Sequence, residues 1–314
     1  MSTSITPEEL GRFSITTGEL FSPTDAYLAV TDDERLSANP DDDHSMFVRI
    51  RGWNDIRLIE SAWPVRSQVR SSVDSALVLS VGARGSVRAA RATTGGSDER
   101  SIYEVLPTLK RSRTVINDVF DVFGSICAIG TRRSFYRRLD VSAWEQMDQG
   151  CYDAKAFEAE FTGVVGFERK SIYAVGTIGE IWRFDGAWRR EESGTNQDLN
   201  AVCVDNRGVM FVVGANGTCL RGGGGVWDAA ASNDAGYTFW SIASYNDDIY
   251  ATANTRLVLR LDANGEFVPV DFGDCQIPTS AYHLKVRDGY LYSIGSKDIR
   301  RFDGRVWEDL LTLS

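Results

Sequence analysis

Residues 172–188 read IYAVGTIGEIWRFDGAW: a β-branched apolar run closed by Val175-Gly176, a short loop, a second apolar run, an Asp185-Gly186 turn and a Trp. Working outward, the phrase returns as MFVVGANGTCLRGGGGVW over residues 210–227, and more loosely over 126–144, 249–267 and 291–307. Upstream, LVLSVGARGSV at 77–87 fits its first half, and residues 26–30 with 46–53 fit once the loop between them is lengthened. The seven anchors are Val30, Gly82, Gly130, Gly176, Gly214, Ala253 and Gly295. Their spacing of roughly 38 to 52 residues is the period of a four-stranded propeller blade. The expected fold is therefore all-β, a seven-bladed β-propeller of four-stranded antiparallel blades.

Each copy reads as four strands because its apolar runs are short, rich in Val, Ile, Phe and Tyr, and punctuated by Gly, Asp and Asn. In the copy that decides the fold, the expected strands are 161–166, 172–175, 181–184 and 188–191. Asp185-Gly186 and Asp303-Gly304 supply the positive-φ residues of tight hairpins. The Trp after each turn (Trp144, Trp188, Trp227, Trp307) is expected to wedge between neighbouring blades. Because the repeat runs nearly end to end, residues 1–314 are expected to form a single domain. A short helix or extension is expected over about residues 1–12, since Thr6-Pro7-Glu8-Glu9-Leu10 offers an N-cap, a Pro at the first helical position and acids in the first turn.

The formal charge of −10 disfavours a nucleic-acid partner, which requires a basic face. Charge is unevenly spread. Residues 84–138 hold eleven Arg or Lys against five acids, a net of +6 that leaves −16 on the rest. In a propeller, the loops from second to third strand and those from blade to blade share one face. That face should carry Arg84, Lys110, Arg111, Arg113, Arg132 and Arg133 on blades two and three. The long loop of blade one brings Asp32, Asp33, Asp41, Asp42 and Asp43 to the same face. The expectation is a bipolar surface for docking a protein, with Phe135, Tyr136 and Trp240 as aromatic anchors; solvated charged loops are the alternative.

Catalytic groups are sparse. The only histidines are His44 and His283, which removes most His-based metal sites and the usual triads. His44 follows Asp41-Asp42-Asp43, but without the alternating spacing of a calcium loop. Gly222 to Gly225 has no Lys-Ser/Thr ending, so a turn fits it better than a phosphate loop. Neither metal nor cofactor is expected. Cys127, Cys203 and Cys219 fall in expected strands and Cys151 and Cys275 in loops, an odd set that suits a reducing compartment. The chain has neither a basic leader with an apolar core nor an apolar run of 18 residues, so a cytoplasmic protein without a membrane partner is expected.

At Phe184-Asp185-Gly186-Ala187-Trp188 and Phe302-Asp303-Gly304-Arg305-Val306-Trp307, with the preceding Val-Gly-x-x-Gly, the chain resembles YCF48-like and BNR (Asp-box) propeller repeats, and more distantly WD40-like propellers. The full Asp box begins with Ser or Thr two positions before the Asp, where Arg183 and Arg301 stand here. Sialidases of this kind use an arginine triad and a Tyr nucleophile, and no residues here are assigned to those roles. The resemblance implies the fold without the hydrolase chemistry. The expected function is non-enzymatic protein binding, as a bacterial immunity protein that neutralises a cognate toxin or effector and is monomeric when free. The alternative is a carbohydrate-binding or glycoside-cleaving, sialidase-like propeller.

Overall fold

The computed structural model describes residues 2–91, 101–107, 114–167, 171–231 and 236–313. Seven antiparallel sheets follow one another along the chain. Their inner strands are Phe13–Ser22, Val65–Arg70, Ile116–Val122, Phe161–Phe167, Leu199–Val204, Phe239–Tyr245 and His283–Arg287. Each lies against the next, and the seventh returns to the first, forming a seven-bladed propeller around a central channel. Blade four is built from Phe161–Phe167, Ser171–Gly176, Ile181–Phe184 and Trp188–Glu191, within a residue or so of the expected strands.

The recurring Val-Gly has a steric origin. A Cβ on Gly130, Gly176, Gly214 or Gly295 would sit 1.8–2.1 Å from the carbonyl oxygen of Val115, Glu160, Asp198 or Ser280, just ahead of the same blade's inner strand. Glycine is kept there because the incoming chain crosses the end of the second strand at van der Waals distance. Second strands are buried almost throughout, Tyr173, Ala174 and Val175 among them, because neighbouring blades cover both of their faces.

The Trp wedges occupy equivalent places. Trp188 of blade four packs on Phe135 of blade three, with ring centroids 5.2 Å apart, and its indole N–H donates to the Met147 carbonyl at 2.6 Å. Trp144 donates to Glu104 of blade two at 2.8 Å, and Trp227 donates to Glu191 of blade four at 2.9 Å. Trp307 stacks on Phe302 at 4.9 Å and meets Phe272, in the connection from blade six, at 4.8 Å.

Blade one departs from four strands. Ser2–Ile5 pairs with Asp55–Glu60 as a fifth, outermost strand, so the N-terminal segment is a strand followed by a helix. The helix Pro7–Leu10 carries a full capping box, in which the Thr6 and Glu9 side chains each accept from the other's backbone N–H. A second helix, Asp33–Ala38, stands inside the expected acidic loop, N-capped by Asp32.

Among the described residues, no strand is exchanged between the first and last blades. Closure rests on other contacts. Ile15 N–H donates to the Ser296 carbonyl at 2.7 Å, and the Lys297 ammonium reaches the carbonyls of Gly11 and Phe13 at 2.8 and 2.9 Å. One buried cluster joins Leu10, Leu28 and Val48 to Tyr292, Ile294 and Ile299.

Candidate functional site

Six of the seven inner strands slip register near their first residues: between Ile15 and Thr17, Val65 and Ser67, Ile116 and Asp118, Phe161 and Gly163, Leu199 and Ala201, and Phe239 and Ser241. A β-bulge re-aims the extra residue. The repeated bulge falls at Thr16, Arg66, Asn117, Thr162, Asn200 and Trp240, near the starts of the inner strands, and Arg66, Thr162, Asn200 and Trp240 line the channel. Trp240 is 46% exposed there, beside Asn200, whose side-chain amide donates to the Phe239 carbonyl at 2.7 Å.

Behind this ring lies a polar cavity of about 630 Å³, lined among others by Thr17, Ser67, Asp118, Ser241, His283, Lys285 and Arg287. Its charges are largely matched internally. The buried Glu19 carboxylate accepts from Lys285 at 2.9 Å and Arg287 at 3.2 Å. Burial pushes the Glu19 carboxyl up, but these two cations more than reverse that and hold it below the ordinary glutamate value. Asp118 accepts from the Ser67 hydroxyl, and burial keeps its carboxyl above the ordinary aspartate value.

His283 contacts the Thr16 carbonyl at 3.2 Å, and burial, aided by Lys285, pushes its pKa down to about 4. Its folded value lies below the ordinary 6.5, so the neutral ring stabilises the fold above about pH 6.5. That contribution is lost as pH falls from 6.5 toward 4. Denaturation curves at pH 7, 5.5 and 4 should show the loss, and His283→Gln should remove most of it. A wild-type stability flat across that range would contradict the neutral assignment.

The structure redraws the expected docking set. Arg132 is 5% exposed, with its guanidinium 4.8 Å from the Phe157 ring centroid. Arg133 grips the buried Glu180 carboxylate with two bonds of 2.5 and 2.8 Å and stacks on Trp182. Both arginines have φ of 60°, so they form a left-handed turn and are parts of the fold rather than free loop charges. Asp32 is buried as a helix cap paired with Arg12; burial raises its carboxyl, but Arg12 and the N–H groups of Arg35 and Glu34 bring it below the usual value. Asp33 pairs with Lys297 at 2.6 Å, and Asp42 pairs with Arg35. Arg84, Asp41 and Asp43 are exposed on the face, as expected. Lys110, Arg111 and Arg113 lie outside the described residues. Phe135 and Tyr136 are fully buried and cannot anchor a partner.

His44 also has a structural place: Nε2 accepts from Asp32 N–H at 3.1 Å, while Nδ1 lies 3.0 Å from the Asp42 carbonyl. Cys127, Cys151, Cys203 and Cys219 are buried free thiols, and burial pushes Cys127, Cys151 and Cys219 up to about 12. No helix among the described residues is long and apolar enough to cross a membrane.

Charge is divided unevenly over this face: the blade-one loop carries Asp33, Glu34, Asp41, Asp42 and Asp43, and the described second-to-third loops of blades two and three carry Arg84, Arg132 and Arg133. The face's described connecting segments, from second to third strands and from blade to blade, carry sixteen carboxylates against eight Arg or Lys. Exposed apolar side chains interrupt this charge on blades three and four: Val115 at 38%, Phe157 at 65% and Ile178 at 42%. A signal for one of these was legible in the repeat, since Ile178 stands in Thr177-Ile178-Gly179 where the next blade has Ala215-Asn216-Gly217.

No family model matches the chain. Over 187 residues it is 38% identical to the immune protein Tsi7 of Pseudomonas aeruginosa, a match that covers 59% of this chain. The match spans 60% of the length of that curated relative. Among solved structures, virginiamycin B lyase from Staphylococcus aureus superposes with a TM-score of 0.67 at 12% identity, covering 94% of this chain and 96% of the lyase. YCF48 bound to D1 peptide superposes with a TM-score of 0.63 at 12% identity, covering 95% of this chain and 92% of YCF48. At such identities these neighbours show the propeller alone, in agreement with the YCF48-like resemblance.

Proposed function

We propose that this chain is an immunity protein: a non-enzymatic propeller that binds and neutralises a cognate toxin in the cell that makes both. The observation that carries the reading is the 38% identity over 187 residues to the immune protein Tsi7. The charge of the face defines the partner's chemistry. The carboxylates exposed on the described loops, Asp41, Asp43, Asp153, Glu158, Glu192 and Asp198 among them, suit a toxin with a basic docking surface, whose encounter the field would accelerate. The channel supports binding over glycoside hydrolysis, which needs a proton-donating acid opposite a free carboxylate. Glu19 is committed to Lys285 and Arg287, Asp121 accepts from Ser72 and Asp288 pairs with Arg70, which leaves Asp118, bonded to the Ser67 hydroxyl, without a free carboxylate opposite it among these groups.

The test is co-expression. Each candidate toxin encoded in the source genome is induced in a susceptible host with and without this chain. Restored growth with one toxin, together with a one-to-one complex whose on-rate falls as salt rises, is the expected result. Continued growth arrest with every toxin, or hydrolysis of a glycoside by the purified chain, would overturn the reading.

A further inference from the structure

We propose that Ile178 and Phe157 form the apolar centre of the toxin-docking surface, matched to a basic-rimmed apolar patch on the partner; this rests on the immunity reading above. The turn between second and third strands supplies an internal standard for what the fold itself requires. At the position after the residue whose N–H donates to the incoming chain, the left-handed residue is Arg132 in blade three, Asn216 in blade five and Thr255 in blade six, with φ of 60°, 50° and 64°. Asn accepts this conformation readily, and a β-branched residue resists it. Ile178 occupies the equivalent place in blade four, with φ of 53°, and is the apolar side chain among these four, 42% exposed.

Two other bulky residues with positive φ are held by packing. Phe123, at φ of 54°, lies so close over Gly166 that a Cβ there would sit 2.6 Å from its ring. Trp53, at φ of 60°, packs on the first-blade core and donates to the Pro23 carbonyl at 3.1 Å. Ile178 belongs to none of the hydrophobic clusters among the described residues, and neither does Phe123, which is 55% exposed, but Phe123 still has Gly166 beneath its ring. A strained β-branched apolar residue left partly exposed at the surface is the pattern of a functional contact.

Ile178 and Phe157 stand on adjoining connections and share a rim. Thr177, next to Ile178, donates its hydroxyl to the Glu158 carbonyl at 2.6 Å, which brings the turn against the segment bearing Phe157. Arg132 stacks on that ring from the blade-three side, fixing an aromatic that is itself 65% exposed. Asp153, Glu158, Glu192 and Asp198 are exposed in the same two connections, with Lys155 the one exposed cation among them, and Asp198 accepts the Ile178 N–H at 2.8 Å. An apolar centre inside a carboxylate rim is the mirror of a basic protein surface with an exposed apolar anchor.

The experiment is Ile178→Asn, with Phe157→Ala beside it, using the toxin against which the wild-type chain protects. Ile178→Asn should raise the melting temperature by about 2 °C, because the turn relaxes. It should weaken toxin affinity at least about tenfold, and Phe157→Ala should do the same. Higher stability with lower affinity is a combination that general damage to the fold does not produce. If the wild-type chain protects but both variants bind within about twofold of it, the patch is not the docking centre and the immunity reading stands. A lower melting temperature for Ile178→Asn would show that the fold itself uses the side chain, and the proposal fails. If the wild-type chain protects against no toxin, the underlying reading fails first.

Discussion

Trp188→Ala is expected to lower the stability of the protein by about 3–5 kcal/mol, the range for deleting a buried aromatic. The indole fills the junction between blades three and four, within 5.2–5.7 Å of Phe135, Phe161 and Phe184. Its N–H is the donor to the Met147 carbonyl, so the truncation also strands a buried acceptor. A blade depends on its neighbours to bury both faces, so the damage should spread across that junction and leave distant blades less affected. Hydrogen exchange resolved by segment is the decisive measurement. Faster exchange in Ser125–Gly130 and Ser171–Gly176, with Leu291–Thr312 little changed, is the expected pattern; a stability loss under about 1 kcal/mol would contradict the wedge role. Trp144→Ala should cost less, because its partner Glu104 keeps the two bonds from Arg138.

Glu19→Gln is expected to cost about 3 kcal/mol at pH 7 and to act on closure of the ring. The carboxylate is fully buried on blade one, and both of its cations, Lys285 and Arg287, stand on blade seven. Removing one member of such a set leaves the others facing a low-dielectric channel without a counter-charge. Since no described strand bridges the first and last blades, these ion pairs take on part of the work that strand exchange would do. The folded pKa of Glu19 lies below its ordinary value of 4.5, so its contribution is complete above that pH and is lost as pH falls through the folded value. Wild type and Glu19→Gln should therefore differ at pH 7 and converge in acid. Chemical denaturation at both pH values checks this, and a difference that persists at low pH would mean that packing rather than charge is lost.

The number of blades, their strands, the hairpin turns and the Trp wedges were legible in the chain because each is a local matter. Apolar runs of set length, Asp-Gly turns and a Trp at a constant offset recur whatever lies across the ring. Even the Val-Gly signature is local in effect, since the carbonyl that excludes a side chain at Gly176 belongs to Glu160, in the same repeat. The fate of charged side chains was not legible, because it depends on partners distant in sequence. Arg133 meets Glu180, Arg138 meets Glu104, and Glu19 meets Lys285 and Arg287 from the other end of the chain. A count of charges along the chain made blades two and three a basic surface. Folding buried Arg132 and committed Arg133 to Glu180, so neither is a free loop charge. The fifth strand Ser2–Ile5 and the packing on Gly166 that distinguishes Phe123 from Ile178 likewise required the assembled molecule. Sequence determined the architecture, because short-range periodicity specifies strands and turns. Tertiary structure alone decided which charges and apolar groups remain available to a partner, because availability is whatever the long-range contacts leave unused.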